Sequence, residues 1–165
     1  MIVNFLNNGG VQKCTREEIV RVLEESMNVL RQPTEVEVNV AFVSAEEIKV
    51  VNAKERKKDV PTDVLSFPAF DLKVDEIIDL SNDKYKWNIN PENEHFCLGD
   101  ILLCKEVAKK QAEELGHTLK AELVRLVVHS VLHLVGYDHI EDADYEIMHA
   151  KELEILKKCG YDSLD

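Results

Sequence analysis

HSVLHLVGYDH, residues 129–139, ends the best-defined helix of the chain and holds three of its six histidines. His129 and His133 are four residues apart within an apolar run. That spacing places both imidazoles on one face of a helix, about 6 Å apart along its axis. The run predicts a buried helix over about 119–135, with Gly136 as its stop.

The position of Gly136 determines where the third histidine lies. In a continuous helix, His139 would sit about 240° around the axis from His133. Glycine readily adopts the left-handed conformation that ends helices, so the chain can turn back and bring His139 to the other two histidines. Three neutral imidazoles and a water form an open zinc site of the catalytic type. We therefore predict that His129, His133 and His139 bind one Zn²⁺ ion, although Ni²⁺ or Cu²⁺ would also bind three imidazoles well.

The same spacing occurs in the metzincin peptidases, whose pattern is H-E-x-x-H-x-x-G-x-x-H. In those enzymes the glutamate takes a proton from the metal-bound water, and here its position is occupied by Ser130. A hydroxyl cannot be that base near neutral pH, which disfavours a peptidase and leaves it as the weaker alternative. Met148 matches the metzincin methionine only loosely, and packing in the core is the favoured interpretation.

Two charged neighbours of the histidines leave alternatives open. Asp138 could hydrogen-bond a ligand imidazole, act as a base or cap the last helix, and we favour positioning or capping. Arg125 precedes His129 by one helical turn. It could meet an anionic substrate or pair with Glu122 on the helix surface, and the sequence does not separate these roles.

The patterns outside this helix predict a small α+β fold. Val36 to Phe42 alternate as in a strand with one buried face. Capping boxes beginning at Thr15 and Ser44 predict the starts of two helices. Residues 71–97 are acidic and polar, and we expect a long hairpin or loop excursion there. The predicted strands are 2–6, 35–44, 64–67 and 98–104, and the predicted helices are about 15–31, 44–54, 105–115, 119–135 and 142–158.

This order of elements, β-α-β-α-β-β-β-α-α-α, is typical of helices packed on one sheet. We expect a single domain over residues 1–165, with a mixed sheet of about four strands and about five helices packed on it. The metal site would lie on a central helix of that domain.

Composition limits the classes of function. The net charge of −12 argues against broad nucleic-acid binding, which depends on Lys and Arg. The basic cluster KERKK, residues 54–58, taken alone is typical of a solvated helix end. We find no secretory signal and no apolar stretch long enough to span a membrane, so we expect a cytoplasmic protein that does not associate with membranes. The four cysteines are scattered, as expected of reduced thiols.

A second motif, NAKERKKDVPTDVLSFP, covers residues 52–68. Arg56 precedes a Val60-Pro61 turn, and a predicted strand follows. Arginine in a loop leading into a strand is well suited to hold a phosphate, because its planar guanidinium keeps its charge and donates in pairs. We therefore treat Arg56 as a candidate catalytic residue.

Together these motifs resemble those of the YbeY family of single-strand-specific endoribonucleases and rRNA maturation factors. Residues 52–68 look like its N-x-x-x-R-x-x-D-x-P-T-D-V-L-S-F-P block, and residues 129–139 look like its H-G-x-L-H-L-x-G-Y-D-H signature. LGDI at 98–101 and MHAKE at 148–152 resemble two further family segments. One departure is Ser130, where the family usually has glycine. Serine is compatible with a helix interior, so we expect the ligand geometry to be retained.

The resemblance implies that His129, His133 and His139 bind zinc and that Arg56 is functionally important near it. It also implies a cytoplasmic protein that acts on single-stranded rRNA in maturing the 3′ end of small-subunit rRNA and in ribosome quality control. Its partners would be the small ribosomal subunit or its proteins. The sequence assigns no oligomeric state.

Metal-assisted phosphodiester hydrolysis would explain the missing glutamate, because a three-histidine zinc ion lowers the pKa of bound water toward about 7. Preference for single strands would then come from a narrow groove, since no aromatic stacking platform is evident. The alternative from another class is a non-catalytic ribosome assembly factor that uses its metal for folding or docking.

Overall fold

Four strands form one mixed sheet in the computed structural model, which describes residues 1–164. The strands are β1 (Ile2–Phe5), β2 (Val36–Val43), β3 (Val64–Pro68) and β4 (Phe96–Cys104). Their order across the sheet is β1-β2-β4-β3. β1, β2 and β4 run parallel, and β3 runs antiparallel to β4. The predicted α+β class with a four-stranded mixed sheet is thus confirmed.

Five α-helices and one short 3-10 helix accompany the sheet in the described part of the chain. The α-helices are α1 (Lys13–Val29), α2 (Ala45–Arg56), α3 (Lys105–Leu115), α4 (Leu119–Leu134) and α5 (Asp142–Lys158), and the 3-10 helix covers Asp83–Asn88. No helix within residues 1–164 is long and apolar enough to cross a bilayer.

Helix α4 lies at the centre of the molecule. It contacts β3, β4, α1, α3 and α5, and its apolar side chains are almost completely buried. Val64 and Leu103 face this main core, whereas their neighbours Leu65 and Cys104 point to the opposite face of the sheet. There they form a small second core with Ile48 of α2. The sheet therefore carries helices on both faces, and the histidine-bearing helix occupies the larger layer.

The two predicted capping boxes had different outcomes. At Ser44 the box is confirmed, because its hydroxyl accepts from the Glu47 amide at 3.1 Å and its own amide donates to the Glu47 carboxylate at 2.7 Å. The box at Thr15 is wrong. Helix α1 begins two residues earlier, at Lys13, and Thr15 is buried in its first turn. The preceding Val11 is buried in the main core, which directs the chain into the helix ahead of Thr15.

Of the two alternatives for residues 71–97, a long hairpin or a loop excursion, the structure shows the loop excursion. Before β4 begins at Phe96, the segment pairs with the sheet through one isolated bridge, between Ile89 and Phe96, and otherwise forms the 3-10 helix and turns. Tyr85 of the 3-10 helix is only 3% exposed. Its ring packs edge-on against Phe96 at 5.6 Å and lies 5.2 Å from Phe70, between ring centroids. An aromatic anchor inside an acidic segment holds the excursion on the core without strand pairing.

Strand β2 is buried on more than the one face that its alternation predicted. Glu37, expected on the open face, is buried and accepts hydrogen bonds from Asn90 at 3.1 Å, Asn93 at 2.8 Å and Cys97 at 3.0 Å. Burial opposes the carboxylate charge, but these donors outweigh it and lower the pKa of Glu37. Burial and this carboxylate raise the pKa of Cys97 to about 11, and all four cysteine thiols are free, as predicted.

Candidate metal centre

The three histidines of the opening motif converge on one point. The Nε2 atoms of His129 and His133 are 3.1 Å apart, and one ligand atom from each of the three residues lies within 4.8 Å of the others. A tetrahedral zinc ion with Zn–N distances of about 2.0–2.1 Å separates its ligand nitrogens by about 3.3 Å. The close pair already matches that separation, and His139 completes a three-sided donor set.

The turn at Gly136 brings His139 to the other two histidines. Gly136 has a φ of +99°, and the Tyr137 amide donates back to the Leu132 carbonyl at 2.9 Å. A Cβ at Gly136 would lie 2.4 Å from the carbonyl oxygen of Leu72. Residue 136 must therefore be glycine for two reasons, which are its positive φ and the close approach of the Leu72 segment.

Hydrogen bonds fix the tautomers of two of the imidazoles. His133 Nδ1 lies 3.0 Å from the Tyr137 carbonyl oxygen, which can only accept. His129 Nδ1 lies 2.6 Å from the Glu152 carboxylate. Burial opposes the Glu152 charge, but the hydrogen bond from His129 outweighs it and lowers the pKa of Glu152. Both Nδ1 atoms therefore carry the proton, and both Nε2 atoms keep a lone pair directed at the shared point.

Two lone pairs at 3.1 Å repel each other unless a cation lies between them. Burial, with repulsion from His129 and His139, lowers the pKa of His133 to about 4. His133 is thus neutral at ordinary pH, which is the state that binds metals. The donor set and its protonation fit a divalent transition metal, and the geometry of nitrogen ligands alone does not distinguish zinc from nickel.

Glu152 is the residue of this site to which the sequence assigned no role. It lies on α5, 23 residues after His129, and only the family-like segment MHAKE drew attention to it. It also faces His149 at 3.4 Å. A carboxylate that accepts from a ligand histidine orients the ring and raises its basicity toward the metal.

We expect Glu152→Gln to weaken metal affinity about 10- to 100-fold without unfolding the protein, because the amide keeps the shape of the side chain but not its charge. Competition with a chromophoric chelator measures the change. Glu154→Gln is the matched control, since it removes the same charge from an exposed position on the same helix. Equal affinities for the two variants would show that Glu152 does not act through His129.

Two connected clefts open beside the histidines. The smaller, of about 190 Å³, is bordered by all three histidines together with Arg56, Arg125 and Ser66. The larger, of about 770 Å³, shares His133, His139 and Arg56 and extends along the segment after β3, where Ala69 and Phe70 form its wall. The structure therefore brings Arg56 and the three histidines to one open cavity.

Arg56 belongs to the cluster predicted to be a solvated helix end, and its side chain is indeed exposed. It ends α2, and Lys57 follows in the left-handed conformation. The Asn52 amide then binds the Val60 carbonyl at 2.8 Å and closes the loop that carries the cluster. Within residues 1–164, Arg56 and Lys58 have no carboxylate within 4 Å, and both border the larger cleft. Their charges are available to an anion.

Arg125 pairs with Glu122, which is one of the two roles that the sequence left open. It bonds the fully buried Glu122 at 2.5 Å, and its side chain also borders the smaller cleft. Burial opposes the guanidinium charge, but the Glu122 carboxylate outweighs it and raises the pKa of Arg125. Arg125 is therefore a positive group held in place at the edge of the histidine site.

The remaining candidates are Asp138, which borders the larger cleft, and Met148 and Ser130, which are buried. Asp138 accepts from the His139 amide at 2.7 Å and does not cap α5, whose N-cap is Glu141. Met148 is buried in the main core, as favoured. Ser130 is completely buried and borders neither cleft, and its hydroxyl has no hydrogen-bond partner within residues 1–164.

Comparisons with known proteins agree along nearly the whole chain. A family model described as Endoribonuclease YbeY matches residues 3–160. The Endoribonuclease YbeY of Lachnospira eligens is 39% identical over 146 residues, which is 86% of each chain. That of Bacillus pumilus is 38% identical over 97% of this chain and 96% of its own. The solution structure of TM1509 from Thermotoga maritima is similar with a TM-score of 0.56 and 28% identity, over 98% of this chain and 94% of that one.

Proposed function

The chain belongs to the Endoribonuclease YbeY family, and on that premise we propose that it is a metal-dependent endoribonuclease specific for single strands. Its substrate in this proposal is small-subunit (16S) rRNA near the 3′ end, and its setting is cytoplasmic ribosome maturation and quality control. Residues 1–165 would form one metallohydrolase domain.

The observation that carries this proposal is the juxtaposition of a three-nitrogen donor set with two arginines in one cavity. His129, His133 and His139 would hold one zinc ion, and Arg56 and Arg125 border the same cleft. These histidines would hold a divalent ion, which would supply a bound water with its pKa lowered toward about 7 and a Lewis acid for the phosphoryl group. This chemistry needs no glutamate at the position of Ser130.

The protein groups have separate roles in this mechanism. Glu152 holds the His129 ring by accepting from Nδ1, and the Tyr137 carbonyl does the same for His133. Arg56 is exposed and borders the cleft, where it would bind the phosphate, whereas Arg125 is held in place by Glu122. Positive groups placed where charge develops stabilise the transition state of phosphodiester cleavage.

The distribution of charge supports a single-stranded substrate. Double-stranded-RNA-binding domains, for example, contact phosphates and 2′-hydroxyls along about 16 base pairs. This chain has a net charge of −12, and its cluster of cations lies at the mouth of one cleft. A flexible strand can reach that cleft with one phosphate, whereas a duplex would press its other phosphates against acidic surface.

The net charge also favours a second candidate from another class, a metal-binding assembly factor that contacts ribosomal proteins and does not cleave. An acidic surface suits basic ribosomal proteins at least as well as bare RNA. Cleavage of a purified single-stranded RNA in the absence of ribosomes separates the two candidates. A metallopeptidase-like hydrolase is the weakest alternative, because no carboxylate occupies the position of Ser130.

We expect Arg56→Glu to lower the rate of single-stranded RNA cleavage about 100-fold, the usual effect of losing one group that stabilises transition-state charge. Lys54→Glu is the matched control. It makes the same change of charge in the same cluster, yet Lys54 borders neither cleft. The assay is gel-resolved cleavage of a labelled rRNA fragment and of the same fragment annealed to its complement.

A similar loss in both charge-reversal variants would assign the effect to general repulsion rather than to a contact of Arg56 in the cleft. Cleavage by wild-type protein that does not exceed that of a His129→Ala preparation would favour the assembly factor instead. Equal cleavage of the annealed fragment would contradict specificity for single strands.

A further inference from the structure

Trp87 is the only tryptophan of the chain, and 87% of its surface is exposed. No large apolar side chain within residues 1–164 is more exposed. It belongs to the 3-10 helix Asp83–Asn88, inside the acidic excursion to which the sequence gave no function. The indole of Trp87 therefore presents a large, rigid aromatic surface to solvent.

The 3-10 helix is fixed to the wall of the larger cleft. Tyr85 is buried and its ring packs against Phe70, and the Asn88 side chain donates to the Ala69 carbonyl at 2.8 Å. Ala69 and Phe70 both border the cleft that contains His133, His139 and Arg56. Trp87 lies between two residues that are anchored to this wall, so its backbone position is set before any ligand binds.

The period of the 3-10 helix places Trp87 on a different face from the one that anchors the helix to the cleft wall. Residues three apart in such a helix eclipse each other, so Trp87 shares a face with Lys84. The Lys84 ammonium lies 5.8 Å from the centre of the Phe70 ring. Tyr85 and Asn88 share another face, which is the one that anchors the helix.

A lysine ammonium lies beside the indole ring of Trp87. The Lys86 ammonium lies 5.2 Å from the centre of the Trp87 ring, and within residues 1–164 it has no carboxylate within 4 Å. Lys84, in contrast, pairs with Glu76. An exposed aromatic ring with an unpaired cation beside it is the combination by which proteins bind single-stranded nucleic acids, with bases on the ring and phosphates on the cation.

We propose that Trp87 is a stacking platform for one nucleobase of a single-stranded RNA whose phosphate backbone continues through the larger cleft to the histidine site. Lys86 contacts the phosphate next to that base. This subsite rests on the proposed nuclease function. It adds to that function a residue that binds the strand at a distance from the bond being cleaved. Stacking tolerates any base, so the subsite gives affinity for unpaired RNA with little sequence preference.

Because Trp87 is the only tryptophan of the chain, its fluorescence reports directly on RNA binding at this subsite. Mixing the metal-loaded protein with a single-stranded RNA of about 12 nucleotides in a stopped-flow fluorimeter should quench the tryptophan emission before cleavage occurs. An RNA of the same length made of abasic nucleotides keeps the phosphates but offers no ring, and it should cause little quenching. We expect Trp87→Ala to weaken binding of the normal strand about 5- to 100-fold, measured by anisotropy of a labelled RNA.

Matched variants separate stacking from other losses. Trp87→Tyr keeps an aromatic ring and should retain most of the affinity, whereas Leu6→Ala shortens another exposed apolar side chain and should have no effect. Absence of quenching together with unchanged affinity of Trp87→Ala, in a protein that cleaves the strand, would overturn the subsite and leave the nuclease intact. A wild-type protein that neither binds nor cleaves the strand would overturn both, and a loss of affinity that is equal for abasic RNA would overturn stacking.

Discussion

Replacing His129 with alanine should remove the bound metal and reduce single-stranded RNA cleavage at least about 1,000-fold. A metal ion contributes several kcal/mol of transition-state stabilisation in hydrolytic sites, and about 4 kcal/mol corresponds to that factor. His129 supplies one of the two nitrogens at 3.1 Å, and Glu152 orients its ring, so its loss leaves only two of the three imidazole ligands. Elemental analysis and the cleavage assay measure the two losses.

His95→Ala is the control for this experiment, because it also removes a partly buried histidine. The His95 ring faces the Asn93 carbonyl, and the residue borders neither cleft. We expect this variant to keep its metal and its activity. Far-ultraviolet circular dichroism establishes that His129→Ala is folded. Full metal content in folded His129→Ala would contradict the assignment of the site.

Replacing Gly136 with alanine should cost about 3 kcal/mol or more of unfolding free energy, because it adds a steric clash to the strain of a left-handed backbone at about 1–3 kcal/mol. The new Cβ would stand 2.4 Å from the Leu72 carbonyl oxygen, so the turn or the cleft wall must move. At about 2–4 °C per kcal/mol for a chain of this size, the melting temperature should fall by about 6–12 °C. The metal content should fall with it, since the turn positions His139.

Gly116→Ala provides an internal comparison. Gly116 has a φ of +72° at the end of α3, and a Cβ there would meet nothing within 4 Å. This variant retains the backbone strain and lacks the clash, so it should cost only about 1 kcal/mol. Thermal unfolding followed by calorimetry measures both. Equal costs would show that the Leu72 segment yields easily, and that the close approach at Gly136 contributes nothing to stability.

The site was more predictable than its surroundings because its main signals are local. The spacing of His129, His133 and Gly136 fixes where two imidazoles point and where the helix stops, and neither property depends on the rest of the fold. The Ser44 capping box was predictable for the same reason, since both of its partners lie within one turn. The Thr15 box failed because the position of buried Val11 in the core decided where α1 begins.

The features that the sequence did not predict depend on contacts between segments that are distant in the chain. Glu152 reaches His129 only because α5 packs on α4, and a glutamate on an amphipathic helix carries no local sign of such a contact. Trp87 lies in a segment whose acidic composition suggests a solvated loop. Its place beside the cleft follows from the packing of Tyr85 on Phe70 and from the Asn88 bond to Ala69. The periodicity of a sequence cannot predict a hydrogen bond between a side chain and a backbone atom that is distant in the chain.

The bond between His129 and Glu152 has a consequence for the order in which the protein matures. Chains are synthesised from the N-terminus, and α4 leaves the ribosome before α5. Until α5 docks, His129 lacks the acceptor that holds its proton on Nδ1. A nascent chain would thus present a loosely oriented set of histidines, and the tight site would form only after the helix that follows it has folded. The chain would therefore bind metal tightly only once α5 has folded, which is later than the synthesis of the three histidines.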